Sequence, residues 1–524
     1  MSTIGPKLLK GAIEEAHRAI LSNECSVTGL CQSSLKVIED TRHLNSFITL
    51  CQNEAISRAA ELDQSLSLSK TKADGRLFGI PISIKDNFCT ESILTTCGSR
   101  MLHNFIPPYT ATSVKKLLDA NSIMIGKTNM DEFAMGSSSL TSYYGPSAYQ
   151  FNSEPLKGLR PNKYCDNSEW YLAGGSSSGS AVSVSVGACF ASLGTDTGGS
   201  TRQPASWTGV VGFKPTYGLI SRFGLVPLAH CMDVVSILAR SVQDVELVFG
   251  TIVGQDENDL TTVDHRHKLR NPIKSRSGQS ESFDVQIGIP REFINKSDIS
   301  DEVSKRFEDL VKSLSRNVHF KKVAFKVKNI DLPHSNSATE CYTIISSAEI
   351  ASNMSCYDGV KYGFATPIDE SMPFDRDRFY MKNRDLGFGS EVKKRILLGN
   401  YFLLSGNKEK YLFQAQRLRN IIRAEFDEVF NKDSIDIILM PSTPTTSNSY
   451  GDWLEKQEKN RLFYEDYFLI PANIANVPSI SLPCGYSTKK LPIGVQLVAN
   501  RYHDLDLLAV SKLLQEYIPT MFDE

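Results

Sequence analysis

The sequence predicts an α/β fold in which helices cover both faces of a sheet. Short apolar runs alternate along the chain with helical segments, which is typical of buried strands joined by helices. The 524 residues include 41% hydrophobic and 22% charged side chains, close to the averages of globular proteins. A chain of this length buries a substantial core. The composition therefore excludes a disordered, fibrous or disulfide-built protein.

The individual elements follow from hydrophobic spacing. Residues 5–40 predict two amphipathic helices, because apolar side chains recur there at helical intervals. The small residues of 180–193 predict a helix that packs closely against a sheet. The other predicted elements are strands at 79–84, 123–126, 285–290, 435–440 and 493–498, and helices at 113–120 and 504–516.

Two segments lack this periodicity and predict loops. Residues 145–170 form a polar insertion with three prolines, which predicts a surface loop. Residues 256–284 contain a run of Lys, Arg and His. We interpret the run as a solvated loop rather than an RNA-binding patch.

Charge and cysteine content restrict the classes of partner and site. The formal net charge is −2, so the chain has no overall basic field to bind nucleic acid alone. The 11 cysteines include no Cys-x-x-Cys pair, which argues against a zinc or thioredoxin-like site. Scattered thiols suit a reducing compartment. No apolar run reaches the ~18 residues of a membrane span.

Two segments rich in Gly and Ser flank one predicted helix. Residues 174–180 read Gly-Gly-Ser-Ser-Ser-Gly-Ser, and residues 194–202 read Gly-Thr-Asp-Thr-Gly-Gly-Ser-Thr-Arg. A phosphate loop is disfavoured, because no Lys follows the Gly cluster in the Gly-Lys-Ser/Thr pattern and Gly-x-Gly-x-x-Gly is absent. Two interpretations remain open from the residues alone. The segments either allow tight packing, or supply a serine nucleophile and backbone N–H groups for an oxyanion.

A serine nucleophile needs a base. None of the nine histidines lies between His103 and His230, so neither Gly/Ser segment contains one, although His230 could approach in space. Lys85 ends an apolar strand, and burial there would lower its pKa and produce a neutral amine. The structural alternative is a lysine that reaches solvent at the end of a strand.

Three segments, in this order, resemble the amidase signature family, hydrolases with a Ser–cis-Ser–Lys triad. Residues 79–87 resemble its lysine motif, residues 174–177 its bridging-serine motif and residues 196–202 its nucleophile motif. The spacing of 24 residues from Ser176 to Ser200 also agrees. Ser178 stands where the family usually has Gly.

The resemblance implies one amidase domain over 1–524, built on a large mixed β-sheet covered by helices on both faces. The N-terminal helices would span 5–40 and the core about 75–250. The basic loop at about 256–284 would be followed by 285–524, which completes the sheet and the substrate pocket.

The resemblance also implies roles for single residues. Ser200 would be the nucleophile, and Ser176, on a cis peptide, would relay a proton between Ser200 and Lys85. The N–H groups of Thr197, Gly198, Gly199 and Ser200 would form the oxyanion hole.

Within the family, residues 126–137, 351–354, 357–359, 391–397 and 470–475 resemble the glutaminase subunits of tRNA-dependent amidotransferases. This branch implies that the chain hydrolyses glutamine and passes ammonia to a B subunit that converts Glu-tRNA(Gln) to Gln-tRNA(Gln). ATP and Mg²⁺ are implied for the B subunit, which would also hold most of the tRNA, and a small C subunit would brace the pair. No metal or cofactor is implied for this chain itself.

Glutamine binding requires a cation and an anion at a fixed separation. The resemblance implies that Arg395 binds the α-carboxylate, Asp466 binds the ammonium group and Tyr342 lines the pocket. The alternative function is a stand-alone amidase that acts on aliphatic or acyl amides. A catalytically inactive scaffold is disfavoured by the intact triad.

The insertion at 145–170 and residues 231–234 resemble the mitochondrial branch, which implies a location in the mitochondrial matrix. The N-terminal segment contains Glu14 and Glu15 and lacks the acid-free pattern of a transit peptide.

Overall fold

A computed structural model describes residues 8–68, 75–149, 170–264, 266, 269, 283–293, 299–316, 319–321, 323–368, 374–458 and 465–521. The helices of these residues are α1 (Ile13–Leu21), α2 (Val27–Asp40), α3 (Gln52–Leu68), α4 (Thr112–Asp119), α5 (Ser178–Ser185), α6 (Arg202–Thr208), α7 (Val242–Ile252), α8 (Asp301–Ser315), α9 (Ala338–Asn353), α10 (Arg376–Gly387), α11 (Ser390–Leu403), α12 (Ser405–Asn407), α13 (Phe413–Asn431), α14 (Tyr450–Glu458), α15 (Ile470–Ile474) and α16 (Asp504–Thr520).

The described strands form one large mixed sheet and a separate two-stranded ribbon. They are β1 (Phe47–Leu50), β2 (Pro81–Lys85), β3 (Ile123–Thr128), β4 (Ala148–Tyr149), β5 (Tyr171–Leu172), β6 (Ala191–Thr195), β7 (Val211–Lys214), β8 (Val235–Ala239), β9 (Phe283–Pro290), β10 (His319–Phe320), β11 (Val323–Ile330), β12 (Ile437–Pro441), β13 (Ser479–Tyr486) and β14 (Pro492–Ala499). The order in the twelve-stranded sheet is β1-β3-β2-β6-β8-β7-β13-β14-β12-β9-β11-β10, and β4 pairs with β5. The predicted mixed sheet with flanking helices is confirmed.

Parallel pairing brings two strand ends together near one edge of the sheet. Strand β2 pairs in parallel with β3 on one side and with β6 on the other, with Ile84 opposite Leu193. The last residues of β2 and β6 are Lys85 and Thr195. Because carboxyl ends of neighbouring parallel strands meet at the same edge, these two side chains lie side by side.

The two predicted N-terminal helices are confirmed as α1 and α2. Helix α1 buries Ile13, Ala16 and Ile20 on one face. Helix α2 begins after Ser26, whose hydroxyl accepts the N–H of Gly29 at 2.9 Å, the usual bond of a serine N-cap.

The prediction of one helix over 180–193 is wrong in its second half. Helix α5 ends at Ser185, and the chain then turns at Gly187, with φ +79°, before entering β6. Glycine adopts this left-handed conformation without strain, which explains the end of the helix. Short apolar runs of small residues suit a buried strand as well as a helix, so periodicity alone could not separate the two.

Helix α5 packs against the sheet at a distance that only small residues permit. A Cβ at Gly179 would lie 2.3 Å from the carbonyl oxygen of Ser46 and 2.5 Å from the amide nitrogen of Asn129. The Ser180 hydroxyl lies 2.7 Å from that of Thr128 on β3. This close packing places the segment before α5 directly above the ends of β2 and β6.

The other predicted strands and helices correspond to β2, β3, β9, β12 and β14 and to α4 and α16, with small shifts at their ends. The patterns did not predict β1, β7, β8, β10, β11 or β13. Most of the insertion at 145–170 and of the basic run at 256–284 lies outside the described residues. The helices that are described include no segment with the length and apolar character of a membrane span.

Candidate active site

Lys85 lies at the end of β2 with its amine surrounded by hydroxyl groups. The side chain is fully buried. Its Nζ lies 2.8 Å from Ser176 Oγ, 2.9 Å from Ser177 Oγ and 2.8 Å from Thr195 Oγ1. A neutral amine has two N–H groups and one lone pair, so it can donate to two of these hydroxyls and accept a proton from the third.

Burial favours the neutral form of this amine. It lowers the pKa of Lys85 to about 7, although the negative charges of Asp131, Asp196 and Asp233 act in the opposite direction. The ion pairs found in the described part of the chain do not include Lys85. Buried Lys127, by contrast, lies 3.3 Å from Asp86 Oδ1. The predicted base is thus the buried lysine that faces hydroxyls rather than a carboxylate.

Ser176 follows a cis peptide bond from Gly175, as the resemblance implies. A Cβ at Gly175 would lie 1.9 Å from Asp131 Oδ2, so glycine is required for this close approach. The Ser177 N–H donates to the carbonyl oxygen of Ser200 at 3.0 Å. Among the hydrogen bonds of the described residues, none joins the hydroxyls of Ser176 and Ser200, so the proton relay between them stays a prediction.

The turn that contains Ser200 is held by a buried ion pair. Arg202 donates to Asp196 through Nε at 2.9 Å and through Nη2 at 2.8 Å, and both side chains are fully buried. Burial alone would raise the pKa of Asp196, but the Arg202 charge and its hydrogen bonds keep that pKa below its usual range. A paired, charged Asp196 therefore fixes the turn from inside.

The predicted oxyanion donors have different partners. The Gly199 N–H donates to Asp196 Oδ1 at 2.9 Å, so this amide already has a partner within the protein. The N–H groups of Thr197, Gly198 and Ser200 make no hydrogen bond to other described residues. The Thr197 hydroxyl donates to buried Asp233 at 2.7 Å. The oxyanion role of this turn stays a prediction, and the geometry favours Thr197, Gly198 and Ser200 over Gly199.

A cavity of about 740 Å³ opens beside Ser200 and Gly198. Tyr342, Arg395 and Asp466, which the resemblance assigns to the substrate, all line it. A Cβ at Gly198 would lie 2.9 Å from the Tyr342 ring, so glycine lets the nucleophile turn approach the pocket wall. The structure thus brings three segments that are far apart in sequence into one pocket.

The two charged residues that the resemblance assigns to the substrate have different surroundings. Arg395 donates through Nε to Glu391 Oε1 at 2.9 Å, which holds its guanidinium at the cavity wall. Asp466 Oδ1 is buried and has no hydrogen-bond partner among the described residues. Burial raises the pKa of Asp466 well above its usual value, and the charges of Glu465 and Asp196 raise it further. Asp466 also lines the cavity, and a carboxyl group with an unsatisfied oxygen at a cavity wall is suited to a cationic ligand group.

Several residues of the site were not predicted. Ser177 and Thr195 complete the hydroxyl shell of Lys85, while Glu391 and Glu132 line the pocket. Ser177 adjoins a predicted site residue and Thr195 ends a strand next to Lys85. Their shared role as hydrogen-bond partners of Lys85 becomes visible only in the tertiary structure. Pairing of β2 with β6 brings Thr195 to Lys85, and packing of α5 on the sheet brings Ser177 there.

The histidine considered as an alternative base lies elsewhere. His230 is exposed and lies near Arg222, outside the cavity beside Ser200. Lys85 Nζ, by contrast, lies within hydrogen-bond distance of Ser176 and Ser177, and its role as the base stays a prediction.

The described residues contain no group of three or more His, Cys, Asp or Glu side chains placed to bind a metal ion. The chemistry that this arrangement supports is nucleophilic attack by a serine with a buried lysine as base.

Known proteins are similar to this chain over most of its length. The family model described as Amidase matches residues 30–508. The chain is 38% identical over 514 residues to the A subunit of the mitochondrial glutamyl-tRNA(Gln) amidotransferase of Pediculus humanus subsp. corporis, covering 98% of both chains.

Two solved structures show the likeness of fold. The A subunit of the glutamyl-tRNA(Gln) amidotransferase of Thermotoga maritima superposes with a TM-score of 0.74 at 34% identity, covering 98% of this chain and 96% of that one. A bacterial aryl acylamidase has the same TM-score of 0.74 at 20% identity, covering 98% of this chain and 97% of that one. At that identity the second likeness concerns the fold alone.

Proposed function

The chain belongs to the amidase family, and on that premise we propose that it is the glutaminase subunit of a glutamyl-tRNA(Gln) amidotransferase. Its relatives with that name match it over nearly their whole length.

One observation supports glutamine as the substrate. The guanidinium of Arg395 and the carboxyl group of Asp466 line the same cavity as Ser200. A free α-amino acid presents a carboxylate and an ammonium group, and these two side chains complement them. Glutamine bound in this way would place its side-chain amide toward Ser200. A neutral aliphatic or acyl amide has no charged group that would pair with Arg395 or Asp466.

The triad would act through successive proton transfers. Neutral Lys85 accepts a proton from Ser176, which accepts the proton of the Ser200 hydroxyl as Ser200 attacks the amide carbon. The N–H groups of the nucleophile turn stabilise the oxyanion that forms. The transferred proton returns along the same hydroxyls to the departing nitrogen, which leaves as ammonia. Water then hydrolyses the glutamyl ester, and Ser200 regains its proton.

The chain would work within a heterotrimer in the mitochondrial matrix, since the relatives at 38% identity are named as mitochondrial. A B subunit would hold Glu-tRNA(Gln), activate it with ATP and Mg²⁺ and use the ammonia, and a small C subunit would brace the pair. The net charge of −2 suits a chain that leaves the RNA phosphates to its partner.

The test is a tagged purification followed by two assays. We expect B-type and C-type subunits to copurify, and the complex to release ammonia from L-glutamine and to form Gln-tRNA(Gln) with ATP and Mg²⁺. The Ser200→Ala complex is the control for contaminating glutaminases. A chain that purifies alone and hydrolyses neutral amides in preference to glutamine would instead identify a stand-alone amidase.

A further inference from the structure

A buried carboxylate connects the segment after β3 to the helix that contains Arg395. Glu132 is only 3% exposed. Its Oε1 accepts the Ser99 hydroxyl at 2.5 Å, and its Oε2 accepts the N–H of Gly389 at 2.8 Å. Gly389 is the N-cap residue of α11. Both oxygens of Glu132 are therefore engaged, one by the core and one by the start of this helix.

The contact with α11 depends on glycine at position 389. A Cβ there would lie 2.3 Å from Glu132 Oε2. Gly389 has φ −71° and ψ 172°, an extended conformation that any residue adopts. Glycine is therefore needed at position 389 because Glu132 lies so close to its backbone, and not because of its backbone conformation.

The position of helix α11 determines where the guanidinium group of Arg395 lies in the cavity. Its first turn includes Glu391, and Glu391 Oε1 accepts Arg395 Nε at 2.9 Å. Glu132, Gly389, Glu391 and Arg395 all line the cavity beside Ser200. A carboxylate at a helix N-terminus satisfies a free N–H group and complements the positive end of the helix dipole. A shift of this terminus would move Glu391 and Arg395 together.

Burying this carboxylate has an energetic cost. Burial raises the pKa of Glu132 to about 7, which means that the ionised form is disfavoured in this environment. The hydrogen bonds from Ser99 and Gly389 offset part of that cost. The carboxylate also lies on the cavity wall beside the start of α11, which indicates a role in the pocket.

We propose that Glu132 is a positioning residue for substrate selection, which fixes the start of α11 and thereby sets the place of the Arg395 guanidinium relative to Ser200. The inference rests on the proposed function, because it takes the α-carboxylate of glutamine to be the group that Arg395 binds. Glu132 would act through Arg395 and would take no part in proton transfer.

The first test compares Glu132→Ala with Glu132→Gln in the full complex. Alanine removes the acceptor for the Gly389 N–H, whereas the glutamine side chain retains a carbonyl oxygen there. We expect Glu132→Ala to raise the KM for L-glutamine about tenfold with kcat changed less than about twofold, and Glu132→Gln to stay within about threefold of wild type in KM.

The matched control is Asp244→Ala. Asp244 is also a buried carboxylate at a helix start, and its Oδ1 accepts the N–H of Ile13 at 2.8 Å, but it does not line the cavity. We expect this variant to change stability without changing the KM for glutamine. A similar rise in KM for Asp244→Ala would show that general loosening of the fold explains both results, and would overturn the proposal.

A double-mutant cycle tests whether Glu132 acts through Arg395. L-Glutamine Kd is measured by calorimetry on complexes with Ser200→Ala, so that no turnover occurs. If Glu132 positions Arg395, Glu132→Ala weakens binding about tenfold when Arg395 is present and less than about twofold when Arg395 is replaced by alanine. Additive effects, or an unchanged Kd with Arg395 present, would overturn the proposal.

Gly389→Ala provides an independent perturbation from the helix side. Its Cβ would collide with the carboxylate, so we expect a several-fold higher KM in the wild-type background and no further effect in the Glu132→Ala background. A wild-type complex that hydrolyses neutral amides but does not bind glutamine would refute the proposed function itself. A normal glutamine KM in both Glu132→Ala and Gly389→Ala would refute only the positioning role.

Discussion

The amine of Lys85 lies 2.8 Å from the hydroxyl oxygen of Ser176, and its other two neighbours are also hydroxyls. Burial disfavours the charged form of the amine, and its three hydrogen-bond partners are neutral, so the pKa of Lys85 is lowered. The three hydroxyls allow the neutral amine to donate twice and accept once. This arrangement supports the prediction that Lys85 acts as a base near neutral pH.

Ser200→Ala should lower glutamine hydrolysis by about 1000-fold or more, because the nucleophile is lost. Its effect on assembly should be small, since the Ser200 contact to Ser177 is made by the backbone carbonyl. Ammonia release and copurification of the partners measure the two effects. Substantial ammonia release by the variant would refute the nucleophile assignment.

Lys85→Arg should lower hydrolysis by about 100-fold or more, because arginine stays protonated and cannot act as a neutral base. The positive charge is retained, so a role limited to electrostatics would survive the change. Single-turnover ammonia release from the complex distinguishes these cases. Turnover close to that of wild type would remove Lys85 from the mechanism.

The kcat/KM for glutamine should rise with pH through about 7 and reach a plateau above it. The active form of Lys85 is the deprotonated one, and its pKa is lowered to about 7 mainly by burial. The rate is therefore expected to fall about tenfold per unit of pH well below this value. A profile that is flat between about pH 5.5 and pH 8 would contradict a lysine base.

Arg395→Ala should raise the KM for L-glutamine about 30-fold, the effect of losing a hydrogen bond between charged groups. The loss in kcat/KM on a neutral amide of similar size should be much smaller. Lys393→Ala is a suitable control, because Lys393 lies on the same helix but does not line the cavity. Equal losses on both amides would count against an α-carboxylate site.

Asp196→Asn should destabilise the fold by about 3–5 kcal/mol, because it leaves the Arg202 charge buried without its partner. Both side chains of this pair are fully buried. Chemical unfolding of the variant measures the loss. Asp40→Asn breaks the exposed pair with Lys36 and should have no measurable effect. Equal stability of Asp196→Asn and wild type would mean that the buried pair does not hold the nucleophile turn.

The helices and strands with clear periodicity were predictable from local sequence. The end of α5 was not, because the small residues of 180–193 suit a helix and a strand equally, and pairing of β6 with β2 and β8 decides between them. Strands β8, β11 and β13 were missed for a related reason. Tertiary contacts, rather than local preference, determine whether such short apolar runs become strands.

Some residues of the candidate site were predictable from the sequence and others were not. Lys85, Ser176 and Ser200 belong to short motifs whose residue types and order already indicate their chemistry. Glu132 and Glu391 lie in the similar segments 126–137 and 391–397, but the resemblance assigned them no chemical role. Their importance follows from contacts with Arg395 and Gly389, and Gly389 lies 257 positions from Glu132 in the sequence.

The sequence by itself determined the fold class, the family and the residue types of the triad, because each depends on local order and spacing. Only the tertiary structure decided two further properties. One is the environment of Lys85, where burial and three hydroxyls favour a neutral amine. The other is the meeting of Ser200, Arg395 and Asp466 around one cavity. Burial and separation in space arise from contacts between distant segments, and linear order does not contain them.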